Sequence, residues 1–344
     1  MIYLKDSKLY TILVLFSLLI GCKKNNLPVI EPKLRTEKTP NDTDDPAIWF
    51  NKSNPEESLV FGTDKDELNG GVYAFDLRGK IINEKSLTGL SYPNNVDVSY
   101  GFKLNDSIST DLIAFTEREK NQIRVFSVPD MKMLDEGGFK VFEDDSLIQN
   151  RKPMGIALYN NIEEDKTYII VSRKEGPINN YLYQYQLISD SIGVKTKLIR
   201  KFGKFSGKKE IEAIAVDNEL GYIYYSDEDH CIRKYYANPD LGSQELACFG
   251  SDYFERDIEG IAIAKYNDTG YLIVSNQQAH SFNVFDRNTN EFIKSINLGT
   301  IETDGCDVIT QSLGNTFPNG LFVSMTDSKE FLFHDLESFN LDED

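Results

Sequence analysis

Six stretches share one design: SLVFGTDK (58–65), DLIAFTER (111–118), TYIIVSRK (167–174), GYIYYSDE (221–228), GYLIVSNQ (270–277) and GLFVSMTD (320–327). Each is an apolar, β-branched or aromatic run that ends in charged or polar residues, as a buried strand does where it emerges into a turn. Working outward, each is preceded by an acidic or Asn-containing turn and a short apolar strand. These openings are Asp44–Trp49, Asn94–Val98, Pro153–Ala157, Glu212–Val216, Glu259–Ile263 and Asp304–Val308. Each is followed by an aromatic strand: VYAFDL (72–77), IRVFSV (123–128), YLYQYQL (181–187), IRKYYA (232–237), FNVFDR (282–287) and EFLFHDL (330–336). About 300 residues shared among six units is roughly 50 each, the size of a four-stranded propeller blade. The expected fold is therefore all-β, a six-bladed β-propeller of four-stranded antiparallel blades. A β-sandwich would not return charge to one place in every unit, and the WD dipeptide of WD repeats is missing.

In a blade the chain runs up and down. The turn before the first strand and the turn after the second therefore lie at one end of the propeller. Six copies of those turns would converge on one axial mouth and bring together Asp44, Asp45, Lys65, Asn95, Asp97, Arg118, Arg173, Lys174, Glu175, Glu212, Glu228, Asp257, Glu259, Asp304 and Asp307. Two unit charges about 4 Å apart at an effective dielectric of about 20 repel by ~4 kcal/mol. So dense an acidic ring must take up protons, splay into solvent or hold cations. Hard oxygen donors suit Ca²⁺, whereas Zn²⁺ would usually want His or Cys. Lys65, Arg118, Arg173 and Lys174 interrupt the acids only in the first three units, and such cations suit phosphate oxygens. An acidic surface accepts a polyphosphorylated ligand only where metal reverses the local field.

Composition narrows the chemistry further. The 344 residues carry 37 Lys plus Arg against 55 Asp plus Glu, a formal charge of −18, which argues against a nucleic-acid partner. With 3 His in the chain and none in a recognisable catalytic motif, imidazole-based mechanisms have little to work with. No Cys is followed six positions later by Arg, which excludes a tyrosine-phosphatase loop.

The N-terminus, MIYLKDSKLYTILVLFSLLIGCKKNN, places two Lys before an apolar run and Gly21 before Cys22. It reads as a lipoprotein signal peptide over 1–21, with lipid carried on Cys22 to hold an exported protein at the outer membrane. An uncleaved membrane anchor is the alternative, but the apolar run is shorter than the roughly 20 residues a spanning helix needs. Residues 22–40, polar and Pro-containing, read as a flexible linker, and 41–344 as the propeller. Of Cys231, Cys248 and Cys306 at least one lacks an intrachain partner, and spacing alone assigns no disulfide.

The motifs D-x-D-D-P-A-I-W (Asp42 to Trp49), G-T-D-K (Gly62 to Lys65), P-N-N-V-D-V (Pro93 to Val98), D-I-E-G (Asp257 to Gly260), T-D-G-x-D-V (Thr303 to Val308) and G-L-F-V (Gly320 to Val323) occur in this order. Together they resemble the bacterial β-propeller phytases, the calcium-dependent alkaline phytases, over residues 41–340. The resemblance implies stepwise hydrolysis of phytate, myo-inositol hexakisphosphate, as its calcium complex, with several Ca²⁺ ions bound. It implies Asp45, Glu212, Glu228, Glu259 and Asp304 as calcium ligands. Asp44, Asn95, Asp97, Asp257 and Asp307 would be ligands or orienting neighbours. Lys65, Arg118, Lys174 and Glu175 would contact phosphate, and with Glu228 form the catalytic set. Met154 stands where the family has Tyr, and Ala213 where Gly commonly follows the acid. Two other readings remain: a propeller that captures inositol phosphates without cleaving them, and a propeller lactonase, against which the four basic residues at the mouth argue.

Overall fold

Each repeat forms one four-stranded antiparallel blade in the computed structural model, which describes residues 27–190 and 193–341. The expected signal peptide and lipidated Cys22 lie outside the described residues. Blade 1 holds β2 (Thr43–Trp49), β3 (Leu59–Asp64), β4 (Gly70–Phe75) and β5 (Leu87–Leu90). Blade 2 holds β6 (Pro93–Asn105), β7 (Ile108–Glu117), β8 (Gln122–Val128) and β9 (Phe139–Lys140). Blade 3 holds β10 (Pro153–Asn161), β11 (Lys166–Arg173), β12 (Asn179–Ser189) and β13 (Val194–Lys204). Blade 4 holds β14 (Ile214–Asp217), β15 (Tyr222–Asp227), β16 (Cys231–Tyr236) and β17 (Ala247–Phe249). Blade 5 holds β18 (Ile258–Tyr266), β19 (Thr269–Asn276), β20 (Ser281–Asp286) and β21 (Phe292–Ile296).

Blade 6 departs from the pattern. After β22 (Cys306–Ile309), β23 (Leu321–Thr326) and β24 (Glu330–Asp335), its outer strand is β1 (Leu34–Arg35), from the start of the chain. Leu34 pairs with Phe333 and Arg35 with Leu332. Thr36 and Thr39 are buried, and Ile30 donates its N–H to Asn297 O at 2.8 Å. The part of the expected linker that is described, residues 27–40, is therefore packed structure. A two-residue edge strand has no room for hydrophobic alternation, so it reads as a tether, yet it covers an edge that would otherwise stay open.

The core is six apolar wedges, each between neighbouring blades. In β7, Leu112 and Ala114 face blade 3 while Ile113 and Phe115 face blade 1. Both faces of a second strand are thus buried, which is why these strands read as continuous apolar runs. At the far ends of blades 4 and 5, Arg287 holds Asp217 with bonds of 2.6 and 2.7 Å, both side chains being buried. Asp217→Ala leaves that buried guanidinium with Glu219 and Thr269 O alone, and the expected cost is about 3 kcal/mol, read as a lowered thermal midpoint. An unchanged midpoint would show that the pair contributes nothing to blade cohesion.

Cys231 and Cys248 form a disulfide that ties β16 to β17, a pairing that spacing did not assign. Cys306 is free and buried, as the odd count requires.

Candidate functional site

The register places the end of each second strand beside the start of the first. Pro46 faces Gly62, Val96 faces Phe115, Ile156 faces Val171, Ile214 faces Tyr225 and Ile261 faces Val274. One residue on stands a hydroxyl in five blades: Thr63, Thr116, Ser172, Ser226 and Ser275. Four of these donate across to the next blade, Thr63 to Asn94 O, Thr116 to Met154 O (2.8 Å), Ser172 to Ile211 O (2.7 Å) and Ser275 to Thr303 O (3.0 Å). They pin the entry of each inner strand against its neighbour. Two residues beyond each hydroxyl come Lys65, Arg118, Lys174, Glu228 and Gln277, and all five line one polar cavity of about 190 Å³.

The inner strands enter that cavity through irregular pairing. Register shifts between Thr43 and Pro46, Pro93 and Val96, Pro153 and Ile156, and Ile258 and Ile261 leave extra residues that turn toward the axis. Asp44, Asn94, Met154 and Glu259 lie within these bulges. The motif glycines beside them supply room. A Cβ on Gly155 would come within 1.8 Å of Glu212 O, and one on Gly305 within 2.2 Å of Asp45 Oδ1. Neither glycine is among the residues with positive φ, so close approach of adjacent blades, not backbone freedom, calls for glycine there.

Around the mouth the polar groups are linked. Lys65 Nζ lies 2.7 Å from Asp304 and 3.2 Å from Asp44. Asn94 donates to Asp44 (2.7 Å) and Glu212 (2.8 Å), and Gln277 donates to Asp304 (2.8 Å). Lys174 pairs with Glu210, and Lys209 reaches Glu228 (3.0 Å) and Asp257 (2.5 Å). The Arg118 guanidinium lies 4.1 Å from the Tyr92 ring centre and donates to Met154 Sδ, while its Nε has no partner. Met154 thus meets the guanidinium with a soft sulfur where a phenol would offer a hydroxyl.

Burial raises the carboxyl pKa values of Asp44, Glu212 and Glu259, and neighbouring acids add to it. Glu228 is pushed up to about 8, first by burial and then by Glu212. Burial alone would lower the Lys65 pKa, but Asp44 and Asp304 beside it outweigh that and raise it.

Two oxygen clusters share Glu228: Glu210 with Glu212 and Glu228, and Glu228 with Asp257 and Glu259. Their donors are all carboxylate oxygens. Glu228 Oε1, Glu259 Oε2 and Asn94 Oδ1 are buried without a hydrogen-bond partner. Buried acceptors left unmatched carry a desolvation cost that a cation relieves, so these residues fit a hard divalent ion such as Ca²⁺. The third such group, His230 with Cys231 and Cys248, offers no thiolate because its sulfurs are joined.

Several expected site residues lie elsewhere. Arg173 is buried, pairs with Asp145 (2.9 Å), donates to Tyr181 O (3.1 Å) and stacks on Phe142. It is therefore a structural residue, not a phosphate contact. Strand alternation explains this, since Arg173 precedes Lys174 and must point the other way. Glu175 is exposed on the following turn, outside the cavity lining.

The acids also do not share one mouth. Asp45, Asn95, Asp97 and Asp307 line a separate axial channel of about 430 Å³. There Asp45 accepts from Val96 N (3.0 Å), Asp97 from Leu158 N (2.7 Å) and Asp307 from Ile48 N (2.7 Å), each on the inner strand of another blade. Burial raises Asp45, lifts Asp97 to about 7 and Asp307 to about 6, with those backbone bonds opposing it. Asn94, Lys209 and Glu210 were missed. Asn94 differs from Asn95 only by strand phase, and Glu210 occupies the place held by Asp42, Tyr92, Lys152 and Asp257 in other blades, where residue type varies too much for sequence to single it out.

A family model described as Phytase matches residues 27–331. A curated 3-phytase of Bacillus subtilis (strain 168) is 31% identical over 297 residues, covering 82% of this chain and 73% of that protein. Among solved structures, the WD40 β-propeller domain of Doa1 matches with a TM-score of 0.54 at 10% identity, over 88% of this chain and 95% of that one. That last likeness concerns the fold alone.

Proposed function

Because the chain belongs to the phytase family, we propose that it hydrolyses phytate stepwise to lower inositol phosphates and inorganic phosphate, with calcium bound at the axial mouth. The observation that carries the reading is the pairing, in one cavity, of buried oxygen acceptors without partners with three cations on consecutive blades. Glu210, Glu212, Glu228, Asp257 and Glu259 would hold the metal, with Asp44 and Asp304 beside them. Calcium, when bound, supplies the positive charge that polarises phosphate oxygens and acidifies water.

The chain's own residues do the rest. Lys65, Arg118 and Lys174 present N–H donors to non-bridging phosphate oxygens, which become more negative as the ester bond lengthens. Arg118 is pre-oriented by the Tyr92 ring, so little side-chain freedom is lost when phosphate arrives. Asn94 and Gln277 fix Asp44, Glu212 and Asp304 through their amide N–H groups, keeping carboxylate oxygens aimed at the cavity. The deciding assay is phosphate release from phytate as Ca²⁺ is titrated from zero. Binding of phytate without release would favour a capture protein instead.

The exported lipoprotein reading of the N-terminus belongs to the same proposal. Cys22 to Ser is expected to move the protein from the membrane fraction to the soluble fraction of the producing cell. Unchanged fractionation would remove the anchor.

A further inference from the structure

At the mouth one base of the chain stands among the oxygens that would hold metal. Lys209 Nζ lies 2.5 Å from Asp257 and 3.0 Å from Glu228. With Glu259 those two acids form a cluster whose ligand atoms lie within 4.8 Å of one another. The ammonium therefore claims part of the space and part of the negative charge that a divalent ion would take. Lys174, by contrast, pairs with Glu210 alone, and Lys65 with acids outside this cluster.

The ammonium satisfies the cluster incompletely. It has three N–H donors, whereas Ca²⁺ takes about six to eight oxygens. Glu228 Oε1 and Glu259 Oε2 stay buried beside it with no hydrogen-bond partner. The backbone nevertheless keeps the base in place. Ser206 donates from N (2.8 Å) and Oγ (2.7 Å) to Asp227, and Glu228 N donates to Glu210 O at 3.1 Å, so the chain is bound to blade 4 on both sides of Lys209. The Lys209 side chain itself is 42% exposed. It can swing into water without giving up a buried apolar contact, while its backbone stays where it is.

We propose that Lys209 is a resident counter-ion of the cluster formed by Glu228, Asp257 and Glu259, which an incoming divalent cation must displace, so that this side chain sets the calcium concentration at which the cluster fills. The proposal rests on the metal reading of these acids and adds what occupies them when metal is away. The exchange moves no proton: the ammonium leaves charged, and the divalent ion brings twice its charge to oxygens the ammonium left unmatched. Only molecules with the ammonium swung out can take the metal, and the apparent affinity falls by that fraction.

The test is a calorimetric titration of Ca²⁺ into chelator-stripped protein with no phosphorylated ligand present. The step that Glu259→Gln removes from the isotherm identifies the cluster. Lys209→Met keeps the apolar stem and deletes the charge, and it is expected to tighten that step about ten-fold, the gain when the pair is closed in about nine molecules of ten. Lys209→Arg, which keeps the charge, is expected to stay near wild type. Lys208→Met removes the same charge one residue away, where Nζ donates to a backbone oxygen, Asp229 O, at 2.6 Å. It is expected to change the affinity by less than about two-fold, because an exposed charge is screened. Without Ca²⁺ the Lys209→Met protein should melt below wild type, and in saturating Ca²⁺ the two should melt together. Equal or weaker Ca²⁺ affinity in Lys209→Met overturns the proposal. Equal tightening by Lys208→Met also overturns it, since the gain would then come from the general field, and so does a midpoint lowered equally with and without Ca²⁺. No Ca²⁺ binding by either wild type or Lys209→Met would remove the metal reading and the proposal with it. Calcium binding without phosphate release from phytate would remove the hydrolase reading alone and leave the affinity comparison intact.

Discussion

Lys65 to Met is expected to lower kcat for phytate by about 10²–10³, the usual cost of removing one preorganised donor from a developing oxyanion. The effect should be this large because the ammonium does two jobs. It lies 2.7 Å from Asp304 and 3.2 Å from the buried Asp44, so it offsets repulsion between acids of blades 6 and 1. It is also the one basic residue that blade 1 contributes to the cavity lining. Met keeps the length and apolar stem while deleting the charge. The measurement is kcat and KM at saturating Ca²⁺, with the thermal midpoint taken alongside to establish folding. A folded variant with wild-type kcat would remove Lys65 from the chemistry.

Chelation is expected to abolish turnover, with at least a hundred-fold loss of phosphate release in excess EDTA and recovery on adding Ca²⁺. It should also expose a pH dependence of stability. Glu228 is held at about 8 in the fold by burial and by Glu212, against an ordinary glutamate value of about 4.5. Between those values the folded chain holds a proton that the unfolded chain has lost, so stability falls as pH rises. The midpoint of the chelated protein should therefore drop from about pH 4.5 to about pH 8 and level off above. Saturating Ca²⁺, which favours the ionised carboxylates, should flatten that slope. Full activity in EDTA, or a chelated midpoint rising over that interval, would contradict the assignment of metal to these acids.

Much of the architecture was legible because the repeat is written in buried strands. The run 221–228 contains β15 (Tyr222–Asp227), and 123–128 falls within β8 (Gln122–Val128). The fourth strands were harder, since β9 and β17 have two and three residues and carry no periodicity to detect. The closing strand β1 was read as linker for the same reason.

For the site, residue type was easier to read than direction. Lys174 and Arg173 are adjacent bases after one strand, yet the first lines the cavity and the second is buried against Asp145 and Phe142. Asn94 and Asn95 are identical residues, yet Asn94 bridges Asp44 and Glu212 while Asn95 lines the channel below. Bulges make the inner strands harder still, because one extra residue inverts the facing of all that follow.

Sequence by itself determined that six similar units surround an axis and that acids and a few bases return at their turns. Hydrophobic period and charge recurrence are local properties that survive divergence of spelling. Only the tertiary structure decided which of two neighbouring residues faces the mouth, which acids stitch one blade to the next, and that the chain's beginning completes its last blade. Those outcomes depend on strand phase and on contacts between residues far apart in the chain, and neither is encoded in any single segment.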